Sequence, residues 1–480
     1  MSRPFDEVRY KGLLEGLEVT ELSLAQVKNE NAKLRIDSGF FAKPMIDADK
    51  KIRAFPGGYD ELGRIFDRFV KGVFDINADC YAEAGVPFLR ILNLRNGAID
   101  DSNLALIPED VHQAEKKTEL RYKDIVLSKT AYPAASVVTI DRCNTSQDTI
   151  ATTLSAYGKR TYTPEAIVAF LNSSLGERLL WRQFQGNVQL HLSLDDGRKV
   201  PMPRLGGNIQ KEITRLFEEA NKCRERAVAH ALLADQVLLR GLGLESWHPP
   251  EPLTYIRRAT EAFDAGRLDS DYFAPRVTEL LKRLGAANLT IGAVAPSRRE
   301  RFSPASRGEF DYIEIGSVRT DGTVGAERLP QSEAPSRATS FVRTGDVITS
   351  SVRPIRRLSA VITPEQNGFV CSSGFVVLQP LHVPAEVLLT FLRLPPVCEL
   401  MDLHASASLY PAISEVDLLA LPFHSVDKAA EAKIVKAVRA AHDARRKAHT
   451  LLKLATQIVE VAVEQGEVAA VRLVHDSAES

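Results

Sequence analysis

The sequence predicts an α+β chain: two tandem α/β domains, each followed by a long helix, with the two helices forming an antiparallel coiled coil in a pseudo-twofold internal repeat. Three observations point there. Short motifs recur in the same order, β-branched runs lie between turn residues in each copy, and two proline-free stretches carry an alanine-rich heptad seam.

Short segments that recur in order mark an internal duplication. Arg35-Ile36-Asp37-Ser38-Gly39-Phe40-Phe41 returns as Arg267-Leu268-Asp269-Ser270-Asp271-Tyr272-Phe273. The run 88–95 returns as 312–319, each followed by a turn signal, Asn96-Gly97 or Asp321-Gly322. Asp124-Ile125-Val126-Leu127-Ser128 matches Asp346-Val347-Ile348-Thr349-Ser350, and Pro203 is matched to Pro422. Strands are expected over 86–94, 124–128 and 136–140, and again over 311–318, 346–350 and 358–362. A helix is expected over 165–180, after Pro164, with its parallel after Pro384. Prolines in Val200-Pro201-Met202-Pro203 and Leu421-Pro422-Phe423 are expected to end the strand-rich parts.

Alternating steps of four and three from Ile209 land on Ile213, Leu216, Ala220, Cys223, Ala227, His230, Ala234 and Val237. From Ala430 they land on Ile434, Ala437, Ala441, Ala444, Ala448, Leu451, Ala455, Ile458 and Ala462. An a/d seam of this kind needs a partner, and its many alanines allow close approach. The two helices are expected to pair with each other; packing onto their own domains is the alternative. His230 on the seam reads as an interface histidine, and each Arg-x-Asp motif as an ion pair bracing its domain. The resulting segments are 1–206 and 246–427 for the domains, 207–245 and 428–468 for the helices, and 469–480 for a tail.

Composition narrows the class. Of 480 residues 44% are hydrophobic and 26% charged, which excludes a wholly disordered chain. Lys+Arg 61 against Asp+Glu 62 excludes a globally basic binder, though not a local basic face. The five cysteines show no CxxC spacing, and no apolar run approaches the ~20 residues of a membrane span. The N-terminus lacks a signal-peptide pattern, so a soluble, cytoplasmic protein is expected. Two diverged units at a fixed separation suit a ligand with two separated features. Double-stranded DNA, with its ~34 Å repeat, is the natural candidate, and the divergence implies an asymmetric, split sequence.

The pieces 86–94, 124–130 and 189–193 ahead of 200–203, with 346–350 and 418–423 in the second copy, resemble the specificity subunit of type I restriction–modification systems. The resemblance covers nearly the whole chain. It implies two target-recognition domains, two conserved helices, and partnership with methyltransferase subunits and with restriction/translocase subunits. It implies no catalysis, cofactor, metal or small-molecule substrate. Departures exist: Lys129-Thr130 becomes Ser351-Val352, and His191-Leu192-Ser193 is matched to Tyr410-Pro411-Ala412, so the second domain is expected to use other contacts or to be a degraded reader. A coiled-coil scaffold that no longer reads DNA is the alternative.

DNA contacts need charge for phosphates and amide or guanidinium forks for bases. The candidates in the first domain are Lys129, Thr130, Gln185, Asn187, Gln189 and His191. In the second they are Ser350, Ser351, Arg353, Arg356, Arg357 and Tyr410, with His404, Ser406 and Ser408 nearby and Arg298, Arg299 and Arg301 as another basic run. Each set reads equally as a solvated loop or surface patch. Catalytic motifs are missing: there is no GxxxxGK[ST], HExxH or GxSxG, and Gly241-Leu242-Gly243-Leu244 lacks the third glycine of GxGxxG. Pro249-Pro250 has none of the flanks of an amino-methyltransferase tetrapeptide. Glu115-Lys116-Lys117 and Glu431-Ala432-Lys433 have nuclease-like Glu/Lys spacing, which is common by chance.

Overall fold

The computed structural model describes residues 6–14, 20–29, 35–74, 76, 78–95, 97–101, 103–186, 189–249, 251–405 and 411–478. The chain forms two compact units, residues 1–223 with 446–480 and residues 224–445. The division falls inside each of the two long helices, Gly207–Gly241 and Lys428–Gln465, because each unit's core takes in the helix stretches packed on it.

In the first unit, helices Ser38–Phe41 and Lys43–Arg53 precede a six-stranded sheet. Its order is Phe66–Lys71, Thr149–Leu154, Ile125–Ser128, Ala135–Val137, Gly97–Ile99 and Leu94–Arg95. All four residues of Ile125–Ser128 are buried. Alternation along that strand explains the apolar run: Ile125 and Leu127 join the main core, while Val126 joins a second core with Leu89, Leu94 and Val138. A four-stranded sheet runs Ala105–Ile107, Val86–Leu89, Arg142–Thr145, Leu120–Arg121, with its central pair parallel.

The second unit repeats the plan. Glu327–Pro330, Glu309–Ile313, Val370–Ser372 and Ala338–Phe341 form a four-stranded sheet, again with a parallel central pair. Ser359–Val361, Val347–Ser350 and Phe375–Leu378 match the three central strands of the larger sheet. The first unit's outer strands shrink here to the bridges Ser297–Leu378 and Val318–Val324.

Two expectations change. The helix expected over 165–180 is two helices, Pro164–Leu171 and Ser174–Gln183, because the Ser173 hydroxyl accepts from Gly176 N and starts a new helix. The strand-rich parts close at these prolines as expected, but the prolines do not break a strand there. Pro201–Pro203 pairs with Tyr59–Glu61 and Pro422–Phe423 with Leu289–Thr290, in two-stranded ribbons that tolerate a missing N–H. Leu62 N donates to Val200 O and Ile291 N to Leu421 O, so the counterpart of Pro422 is Pro201 rather than Pro203.

The long helices, 35 and 38 residues, pack together. Ile209, Ile213, Leu216, Ala220 and Cys223 share the first unit's core with Ala448, Leu452, Ala455, Ile458 and Ala462. Ala234 and Leu238 share the second unit's core with Ile434 and Ala437. Ala227 and Ala441 are buried, whereas His230, Ala444 and Leu451 are half-buried. The buried positions include Leu238 beside Val237 and Leu452 beside Leu451, as a helix of 3.6 residues per turn drifts from a strict seven-residue repeat. Gly466, at φ 92°, ends the second helix, and the segment read as a tail forms helix Glu467–Ala478 with Ala470 buried in the core.

The Arg-x-Asp motifs are ion pairs of one design. Arg35 meets Asp37 at 2.8 Å and donates to Arg182 O and Phe184 O; Arg267 meets Asp269 at 2.7 Å and donates to Leu403 O. Among the described residues no helix is long and apolar enough to cross a membrane.

Candidate nucleic-acid interface

The first unit assembles its candidate residues through backbone bonds. After strand Ile125–Ser128, Thr130 forms a bridge with His191, Leu192 N donates to Lys129 O, and Ala131 N donates to Leu190 O. Gln185 pairs with His191 in a short ribbon. Gly186 turns that ribbon at φ 125°, where a Cβ would lie 2.3 Å from Gln189 O, so only glycine fits. Lys129, Thr130, Gln185, Gln189 and His191 therefore share one place; Asn187 lies outside the described residues. Gln189 and His191 are exposed, Lys129 and Gln185 half-buried, Thr130 buried. Gln185 Nε2 donates to Asp196 Oδ2 at 2.8 Å, which orients its amide.

Three residues join this place that the sequence reading does not single out. Burial and the neighbouring Lys71 ammonium lower the pKa of Lys129 against the pull of Asp148. Lys71 lies 4.5 Å over the ring of Phe74, itself 64% exposed, and Tyr132 is exposed in the same loop as Lys129. Two ammonium groups close enough to repel, beside exposed rings, suit a phosphate and a base. Tyr132, two residues past Thr130, was within reach of sequence; Lys71, which ends strand Phe66–Lys71, and Phe74 just beyond it lie far off in the chain and were not.

The second unit repeats the frame. Val352 bridges Ala412, Ile413 N donates to Ser351 O, and Arg353 N donates to Pro411 O. Ala131 and Arg353 occupy the same left-handed turn position, at φ 61° and 48°. These bonds correct the repeat match. The counterpart of His191-Leu192-Ser193 is Ala412-Ile413-Ser414, not Tyr410-Pro411-Ala412, and Ser193 and Ser414 both cap short helices. Residues 406–410, with Ser406, Ser408 and Tyr410, lie outside the described residues.

The second unit's side chains differ in availability. The Ser350 hydroxyl donates to Val352 O at 2.9 Å and the Ser351 hydroxyl to Gly374 O at 3.0 Å. Arg357 turns inward: its Nε donates to Arg393 O at 2.6 Å and its guanidinium lies 3.6 Å from Asp235. Arg356 is exposed and Arg353 half-buried. In the other basic run, Arg298 pairs with Asp346 at 2.6 Å, Arg301 donates to Ser340 and Arg299 pairs with Glu415 at 3.1 Å. His404 packs edge-on against Tyr272, and burial with Arg267 lowers its pKa.

Among the described residues no group of three or more His, Cys, Asp or Glu could hold a metal. Burial pushes the thiols of Cys143, Cys371 and Cys398 up to about 12, which suits packing rather than reactivity. The first unit's frame thus offers ammonium, amide and imidazole groups, and the second unit's frame guanidinium groups.

No protein-family model matches the chain, and no curated protein matches it significantly. Solved structures of type I restriction–modification specificity subunits are among its structural neighbours. The S subunit from M. genitalium is 13% identical, with 86% of this chain and 96% of that one covered and a TM-score of 0.38. The HsdS subunit from Thermoanaerobacter tengcongensis is 13% identical, covering 86% and 97% at a TM-score of 0.26. A chain from a study of type I R-M complex assembly and conformational transition is 15% identical, covering 86% and 98% at 0.29.

Proposed function

We propose that this chain is the non-catalytic sequence-reading subunit of a type I restriction–modification complex. Two recognition domains (1–206 and 246–427), joined by an antiparallel coiled coil of the helices in 207–245 and 428–468, read a bipartite, asymmetric duplex. The chain positions methyltransferase and restriction/translocase subunits on that duplex, and works in the cytoplasm without cofactor or metal of its own. The observation that carries the reading is one loop frame built twice, Lys129–Tyr132 against Leu190–Leu192 and Ser351–Arg353 against Pro411–Ile413, with different side chains on each copy. A frame preserved while its side chains diverge is what two half-sites of different sequence require. Antiparallel pairing is supported inside each unit: Gly206 N reaches Glu467 at one end, and Gly241 lies against Val426 at the other. A helix of 35 residues spans about 50 Å.

The test is a mobility-shift selection from random duplex pools, with and without a methyltransferase subunit. An enriched split sequence, bound with a steep salt dependence, is the expected result. Sequence-independent or absent binding in both conditions would leave a scaffold instead.

A further inference from the structure

Residues 224–445 enclose a charged cluster of three arginines and two aspartates. Arg357 faces Asp235 at 3.6 Å and Arg445 faces Asp321 at 3.5 Å. A third guanidinium, Arg393, lies within electrostatic range of all four of these groups, yet has no carboxylate within salt-bridge distance among the described residues. One of its terminal nitrogens donates to Thr320 O, while its Nε is sealed from solvent without a hydrogen-bond partner. Beside it is a cavity of about 40 Å³, lined by Asp235, Thr390, Arg393, His442 and Arg445 together with alanine, leucine and valine side chains.

We propose that this cavity binds a small monovalent anion of the chloride class, held by Arg393 and Arg445. Charge is the first argument: three guanidinium groups meet two carboxylates, which leaves one positive charge uncompensated. Burial, with Arg357 and Arg445 adding to it, brings the Arg393 pKa down to about 10, so the group stays cationic at neutral pH. A buried cation that cannot shed its proton needs a counter-charge. Burial and the adjacent Arg445 and Arg393 lower the pKa of His442 as well, so the imidazole adds no charge and can still donate a hydrogen bond.

Size selects the anion. The cavity exceeds the ~10–15 Å³ that one water needs and falls far short of the roughly 300 Å³ at which pockets for larger ligands begin. A halide fits, and a nucleotide does not. The site belongs to the second unit alone. The equivalent of Arg393 in the first unit is Asn172, whose amide is used by Ala135 N and Ala135 O. Because Asp235 and Arg445 stand on the two long helices and Arg357 ends the candidate DNA loop, the ion would tie that loop to the helices. DNA binding would then depend on which anion is present, beyond ionic strength.

Crystals of the full chain grown in bromide are expected to show an anomalous peak within hydrogen-bond reach of Arg393 Nε and Arg445. At equal ionic strength, chloride is expected to raise Tm over gluconate by about 2–4 °C, and Arg393→Met to abolish the difference. If that variant does not fold, the bromide map and the chloride titration of the natural chain still decide. Density for water alone at full bromide, or equal Tm in the two salts, overturns the proposal.

Discussion

In the first unit the parallel pair Val86–Leu89 and Arg142–Thr145 closes over Asn144, which accepts from the Thr118 hydroxyl at 2.5 Å and meets His112 Nδ1 at 3.3 Å. His112 passes its other nitrogen to Glu119 at 3.0 Å. In the second unit the same strands place Val370 opposite Tyr312, in a cluster with Phe310 whose rings continue into Phe302 and Phe341. The closing ribbons repeat the contrast. Asp60 is buried under Arg204, Arg64, Tyr157 and Tyr162, while its counterpart is the apolar Leu289. At Asn172 and Arg393 both copies are polar, a neutral amide in one and a guanidinium in the other. Strand hydrogen bonds hold the register without regard to side chains, so each buried position can change chemistry provided its polar atoms find partners.

The largest effect that sharpens this contrast is expected at Asp60. Asp60→Asn leaves Arg204 facing a neutral amide and should cost about 3–5 kcal/mol in denaturant unfolding, against less than about 2 for Leu289→Ala. Burial alone would raise the Asp60 pKa, but hydrogen bonds from Arg204, Tyr157 and Tyr162 outweigh it and hold the carboxyl well below its ordinary range. A depressed folded pKa means the stabilisation is full above the unfolded value of 3.8 and is lost as pH falls below it; Asp60→Asn should flatten that acid limb.

Next is the Asn144 network. Asn144→Val takes the amide away from His112 Nδ1 and Thr145 N, while the Thr118 hydroxyl keeps Glu115 O; it should cost about 2–4 kcal/mol, with part recovered when Thr118→Val and His112→Leu are added. Equal losses in the single and triple variants would contradict the network.

Smaller effects separate the two loops. Arg357→Ala is expected to lower stability by about 1–2 kcal/mol without changing the salt slope of DNA binding. Arg356→Ala and Lys129→Ala should stay within about 0.5 kcal/mol of the parent in stability, yet each reduce the slope of log K against log salt by about 0.9. A slope change for Arg357→Ala would mean that its inward pairing opens on DNA.

The sequence by itself determined the duplication, the strands expected at 124–128 and 346–350, and the heptad stripe from Ile209 and from Ala430. Each of these is written in residues a few positions apart, where strand and helix periods act directly. Only the tertiary structure decided that Ala412 rather than Tyr410 answers His191, that Arg357 turns inward while Arg356 stays out, and that Lys71 and Phe74 join Lys129. Those outcomes rest on partners tens of residues away, chosen by backbone pairing and by where a charge finds its counter-charge, and local spacing carries no record of either.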